Sequence, residues 1–183
     1  MIYTLGALLA AALLGLDQWV KHWTVTHFAA PAAPHLYWTA DPARPLLPGV
    51  VELTRVHNYG AAWSSFSGQR WLLVGLTACI LLAILTVLVR RIVRHPLGVT
   101  ACCLVLSGGL GNILDRLRLG YVVDMLHLQF WPSYPVFNVA DICVVCGAVL
   151  GAVYFLRFYD KYDKAPGGGR RGDAHGDADA AGQ

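Results

Sequence analysis

The chain has 183 residues, of which 56% are hydrophobic and 14% charged, and its mean hydropathy is +0.51. That is too apolar for an ordinary soluble domain of this length, so composition points to a membrane protein. The formal net charge of +3 does not argue for nucleic acid, which is not expected as a partner, because the positive residues gather at the edges of apolar runs where insertion topology accounts for them.

Crossing the hydrocarbon core takes roughly 20 mostly apolar residues, and four stretches qualify. The first, about residues 2–22, is free of charge until Asp17 and Lys21 near its outer end; it lacks a basic leader and reads as an uncleaved helix. Asp17 and Lys21 lie four apart in acid-first order, the spacing of an ion pair on one helical face. Residues 24–69 then form an outer segment. Its Pro- and Ala-rich part, residues 29–49, precedes Val51-Glu52-Leu53-Thr54-Arg55-Val56-His57, whose mixed polarity and β-branching predict a short strand of a small extramembrane sheet.

Asn58-Tyr59-Gly60-Ala61-Ala62-Trp63-Ser64 leads to a second, uncharged span at residues 71–89. The tight loop Arg90-Arg91-Ile92-Val93-Arg94-His95 marks the cytoplasmic side, which places both termini there and the longer segments 24–69 and 115–137 outside. Aromatic residues, Trp19, Trp23, Trp63, Trp71, Trp131 and Tyr134 among them, cluster near the expected interfaces, where most would serve as anchors. A third span at residues 96–114 ends in Gly108-Gly109-Leu110-Gly111-Asn112, whose small residues admit close backbone approach. A fourth runs from about 138 to 156, broken only by Asp141. Residues 1–164 make one membrane domain, whereas the Gly-rich tail 165–183 has little to bury and is expected to be disordered on the cytoplasmic side. All five cysteines fall within spans and read as packing residues.

Acids at membrane depth are costly and imply either a partner or a function. Asp17 has Lys21, and Asp115 can brace its neighbouring loop or pair with Arg116. Asp141 fits a first-turn acid capped by Asn138. Asp124, set between Tyr121-Val122-Val123 and Met125-Leu126, has no local partner. Paired with Asp141 it would share a proton, one carboxyl acting as base toward water and the other as acid toward an amide, without a metal or cofactor. Acid pairs also relay protons, so a small proton-coupled carrier stays open as the alternative.

Five blocks carry a resemblance that favours the peptidase: Asp17-x-x-x-Lys21, Asn58-x-Gly60-Ala61-Ala62, Gly108-Gly109-x-Gly111-Asn112-x-x-Asp115-Arg116, Val123-Asp124-Met125 and Phe137-Asn138-x-Ala140-Asp141. In content and order they resemble the lipoprotein signal peptidases (signal peptidase II), over roughly residues 5–158. The resemblance implies an all-α polytopic membrane aspartyl endopeptidase of four transmembrane helices with a small β-sheet on the outer face. It implies that Asp124 and Asp141 are catalytic, that Asn58, Gly60, Gly108, Asn112, Arg116 and Asn138 bind substrate or support the site, and that Asp17, Lys21 and Asp115 are structural. The implied partners are prolipoproteins whose lipobox cysteine carries diacylglycerol, together with membrane lipid. The enzyme is expected to be a monomer in the bacterial inner membrane, with its site near the periplasmic face. Trp63 stands where the family has Phe, and the segment between Lys21 and Asn58 is longer than usual, leaving the form of the outer sheet to be seen.

Overall fold

The computed structural model describes residues 1–33 and 37–163; the tail expected to be disordered lies outside them. Helix α1 covers Ile2–His27, α2 Arg70–Val89, α3 Pro96–Arg118, and α4 Val139–Arg157, each long and apolar enough to cross a membrane. A one-turn helix, α5, follows at Tyr159–Tyr162. The helices correspond to the four expected spans, but α1 and α3 run past the expected ends at 22 and 114. Charge does not stop them because Lys21, Asp115 and Arg116 are buried with partners rather than facing lipid.

Helix α3 is the axis of the bundle and packs against α4, α1 and α2. Its closest approach is to α4. A Cβ on Gly108 would collide with the Ala140 carbonyl and the Val144 side chain, so the absence of a side chain there sets how near the two helices lie. Helix α2 buries only Leu73 and Leu81 and exposes Leu72, Leu76, Ile80, Leu82 and Leu85, the pattern of a helix facing lipid.

Outside the bundle, β1 (Arg44–Leu47), β2 (Val51–Asn58) and β3 (Val122–Leu128) form an antiparallel sheet in that order. The predicted strand at residues 51–57 is β2, its centre. Beyond β1, residues 37–39 continue along the same edge of β2: His57 N–H donates to the Tyr37 carbonyl (2.8 Å) and Thr39 N–H to the Arg55 carbonyl (2.9 Å). A register irregularity between Leu53 and Val56 lies where β2 meets the bundle. There Arg55 donates to the carbonyls of Val25 (3.1 Å) and Phe28 (2.8 Å), satisfying groups that the end of α1 leaves unpaired. On the other side, Asp115 at the foot of α3 accepts from Val123 N–H at 3.1 Å, so the sheet is tied to two helices.

At the opposite end of the bundle, Asp163 accepts from the backbone N–H groups of Arg94 (3.0 Å) and His95 (3.3 Å) and from the Tyr154 hydroxyl (2.5 Å), closing the N-terminus of α3.

Candidate active site

Asp124 and Asp141 reach the site from different elements. Asp124 projects from β3, where antiparallel pairing sets it opposite Val56 and pleating gives it the same face as Val122; it is 2% exposed. Asp141 is the third residue of α4, and the sequence dictates its place: Asn138 accepts from Asp141 N–H (2.9 Å) while Asp141 accepts from Asn138 N–H (3.1 Å), a reciprocal capping box. The expectation of a capped first-turn acid therefore holds, and the same geometry brings Asp141 beside Asp124. The Asn138 side-chain amide completes the link by donating to Asp124 at 2.6 Å.

Further amides hold the two carboxyls. Asn58 Nδ2 donates to Asp124 Oδ2 (3.0 Å), and Asn58 Oδ1 accepts from Gly60 N–H (2.9 Å). Asn112 Nδ2 donates to Asp141 Oδ1 (2.8 Å), and Asn112 Oδ1 accepts from Asn138 (3.2 Å) and Lys21 (3.0 Å). Burial pushes the Asp124 carboxyl above the usual carboxylate range, and the nearby Asp141 charge adds to this; the Asn58 and Asn138 hydrogen bonds oppose it.

Beneath this layer, Lys21 lies between Asp17 (2.9 Å) and Asp115 (3.0 Å), all three nearly inaccessible. Asp17 also accepts from Ala140 N–H at 2.9 Å, so the start of α4 is held by α1 as well as by its own cap. The expected Asp17–Lys21 pair is present. Of the two readings of Asp115, bracing is realised; Arg116 instead donates to the Gly60 carbonyl (2.7 Å) and to its own helix at Asn112 (3.4 Å).

Gly60 serves the turn before α2. A Cβ there would lie 2.5 Å from the Ser65 carbonyl oxygen, and the following Trp63, Ser64 and Phe66 all adopt left-handed φ of 52–56°. Such strain in side-chain-bearing residues concentrates where surrounding structure enforces a particular shape. Here it swings Trp63 to the mouth of a cavity, opposite Tyr134 at 6.0 Å between ring centroids. These two aromatics, expected among the interfacial anchors, line the cleft.

The cavity has a volume of about 570 Å³ and contains Asp124, Asp141, Asn58, Asn112 and Arg116. Its membrane side is apolar, with Ile80, Leu81, Val105, Val144 and Val145; its outer side carries Tyr37, Trp38, Trp63 and Tyr134. Among the described residues no group of three or more His, Cys, Asp or Glu side chains is placed to hold a metal ion.

Sequence reasoning passed over Gln18, which donates to Asp17, Asp115 and the Gly111 carbonyl, and over Arg55 as a tie between sheet and helix. A glutamine beside an intramembrane aspartate and an arginine within a half-buried strand are the signals that pointed to them. Tyr37 and Trp38 carried no signal, since their place depends on pairing with residues about 18 positions later.

The same fold occurs in a solved bacterial membrane enzyme, which superposes with a TM-score of 0.73 over 91% of this chain and 95% of that one at 24% identity. The molecule thus has the architecture of a four-span membrane protein with a small three-stranded sheet outside the bundle. A family model described as signal peptidase (SPase) II matches residues 9–157. Lipoprotein signal peptidases of Streptococcus thermophilus and Enterococcus faecalis are 40% and 34% identical to it, over 76% and 81% of this chain and 84% and 86% of theirs. The chain belongs to the signal peptidase II family and is a membrane peptidase.

Proposed function

We propose that this peptidase is of the aspartic type and releases signal peptides from prolipoproteins by cutting the bond before a diacylglyceryl-modified cysteine. The observation that carries the reading is the joining of two carboxyls, Asp124 and Asp141, through Asn138 at the polar end of an otherwise apolar cavity. A lipid-bearing substrate suits that shape: acyl chains and signal helix remain among apolar side chains while the scissile amide meets the acids.

The pair holds one proton. Asp141, at the positive end of α4 and linked through Asn112 to Lys21, is the better-stabilised anion, and Asp124 retains the proton. Asp141 accepts a proton from water as the water oxygen bonds to the scissile carbonyl carbon, and Asp124 protonates the carbonyl oxygen. Collapse of the tetrahedral species breaks the C–N bond, returns that hydroxyl proton to Asp124, and sends the proton held by Asp141 to the departing cysteine amine. Asn58, Asn112 and Asn138 fix the acids, Gly60 and Arg116 shape the turn across the mouth, and Gly108 sets the approach of the helix bearing Asp141. Asp17, Lys21 and Asp115 are structural.

The arginine-rich connection at residues 90–95 belongs in the cytoplasm, which sets the acids near the periplasmic face of the inner membrane, with residues 1–164 as one domain acting as a monomer. The test is cleavage of a diacylglyceryl-modified lipobox peptide by purified protein, beside the unlipidated peptide. Cleavage of the lipidated peptide alone, lost in folded Asp124→Asn and Asp141→Asn, is the expected result; full activity in either variant overturns the aspartic assignment.

A further inference from the structure

Trp38 lies outside the five sequence blocks, yet the sheet carries it to the cleft. It pairs across β2 with Val56, and Val56 pairs with Asp124, so the three stand in one cross-strand row. Residues directly opposite in antiparallel strands project from the same face with Cβ atoms roughly 5 Å apart. The Trp38 Cβ therefore stands about 10 Å from that of Asp124, two strand spacings away, and Trp38 lines the cavity.

Its placement is braced. Hydrogen bonds of Tyr37 and Thr39 to β2 flank Trp38 on both sides. Its ring meets His127 edge-on at 5.6 Å, and His127 Nδ1 lies 2.7 Å from Glu52, which also accepts from Gln129 at 2.9 Å. Tyr37 in turn contacts Tyr59 at 5.9 Å. Trp38 nevertheless remains 50% exposed, its indole available to a ligand in the outer part of the cavity.

Resting on the peptidase reading above, we propose that Trp38 is a specificity-determining residue that binds the polypeptide on the mature side of the cleaved bond, about three residues beyond it. The side follows from the two walls. A signal helix needs the apolar membrane-side wall, whereas the chain leaving toward water passes the outer wall where Trp38 stands. The position follows from reach, since an extended peptide advances about 3.3 Å per residue and covers some 10 Å in three. The favoured substrate chain is extended, with a side chain able to lie against the indole at that position; across the mouth the Trp63–Tyr134 pair limits its width.

The test compares two lipidated peptides, one ending at the residue after the modified cysteine and one extending five residues further with an apolar side chain at the third position. In the wild type the longer peptide should have a KM lower by about fivefold to tenfold, the gain from one aromatic contact. In Trp38→Ala that ratio should collapse toward one, and in Trp38→Phe most of it should persist. A wild-type ratio of one, or an undiminished ratio in Trp38→Ala, overturns the inference while leaving the peptidase reading intact. Failure of wild-type protein to cleave either lipidated peptide overturns that reading, and this inference with it.

Discussion

Asn138 Nδ2 stands 2.6 Å from Asp124 Oδ1, which makes a helix cap also the support of a carboxyl on a neighbouring strand. Removing that amide does two kinds of damage. Asn138→Ala loses an N-cap, costing about 1 kcal/mol, and leaves both acids without a shared anchor. With the proposed chemistry, kcat on a lipidated peptide should fall on the order of 100-fold, the scale of a misplaced acid–base pair. A small fall in thermal midpoint with a large fall in kcat is the expected signature; an equal loss of folded protein and activity would instead make Asn138 purely structural.

Lys21 is shared between Asp17 and Asp115 where neither can reach water. Lys21→Met should destabilise the protein by about 3–5 kcal/mol, the range for breaking a buried pair from one side. Combining it with Asp115→Asn should cost less than the sum of the single changes, because each removes the reason for the other. Denaturant unfolding of the four proteins in detergent measures this coupling.

The alkaline limb of activity tests the shared proton. Since burial and Asp141 raise the Asp124 carboxyl above its ordinary range, the singly protonated pair persists at pH values where a surface aspartate is ionised. The rate on a lipidated peptide should hold through neutral pH and decline only on further rise, as the remaining proton is lost, and should also decline in acid as both carboxyls become protonated. A profile falling steadily from pH 4 to 7 would contradict the assignment.

His57 makes stability itself depend on pH. It is stacked on Tyr121 at 3.8 Å, accepts from Arg55 Nε at 3.1 Å, and has its pKa lowered to about 4, first by burial and then by the Arg55 charge. A base held neutral in the fold is protonated first in the unfolded chain, so its contribution is complete above about pH 6.5 and is lost as pH falls toward 4. His57→Gln can retain an acceptor for Arg55 without titrating. Its thermal midpoint should change less than that of the wild type between pH 7 and 4.5; equal changes would place the acid sensitivity elsewhere.

The parts of this molecule legible in its sequence are those governed by local rules or by the cost of charge in lipid. Four spans followed from long apolar runs, β2 from its mixed polarity and β-branching, and the Asn138 cap with Asp141 in the first turn of α4 from spacing alone. Asp124 stood out because no neighbour explained it. What stayed hidden depends on pairing between distant segments. Nothing in Tyr37-Trp38-Thr39 foretells that it will lie along β2, and the left-handed turn at Trp63–Phe66 is imposed on side-chain-bearing residues that would not choose it. Helix α3 outlasts its apolar run for a related reason: the charge of Asp115 becomes an interior feature once Lys21 reaches it from another helix.

The two carboxyls ride on unlike carriers, one on a strand outside the bundle and one on a helix within it, and Arg55 and Asp115 bind that strand's sheet to the ends of α1 and α3. Bilayers differ in thickness by several ångströms, and helices accommodate the mismatch by tilting. Because the sheet is fastened to the helices rather than resting on the lipid surface, such a tilt carries both acids together. Asn138, which caps α4 and donates to Asp124, adds a direct tie between the two carriers, so hydrogen bonds within the protein rather than the lipid set the spacing of the acids.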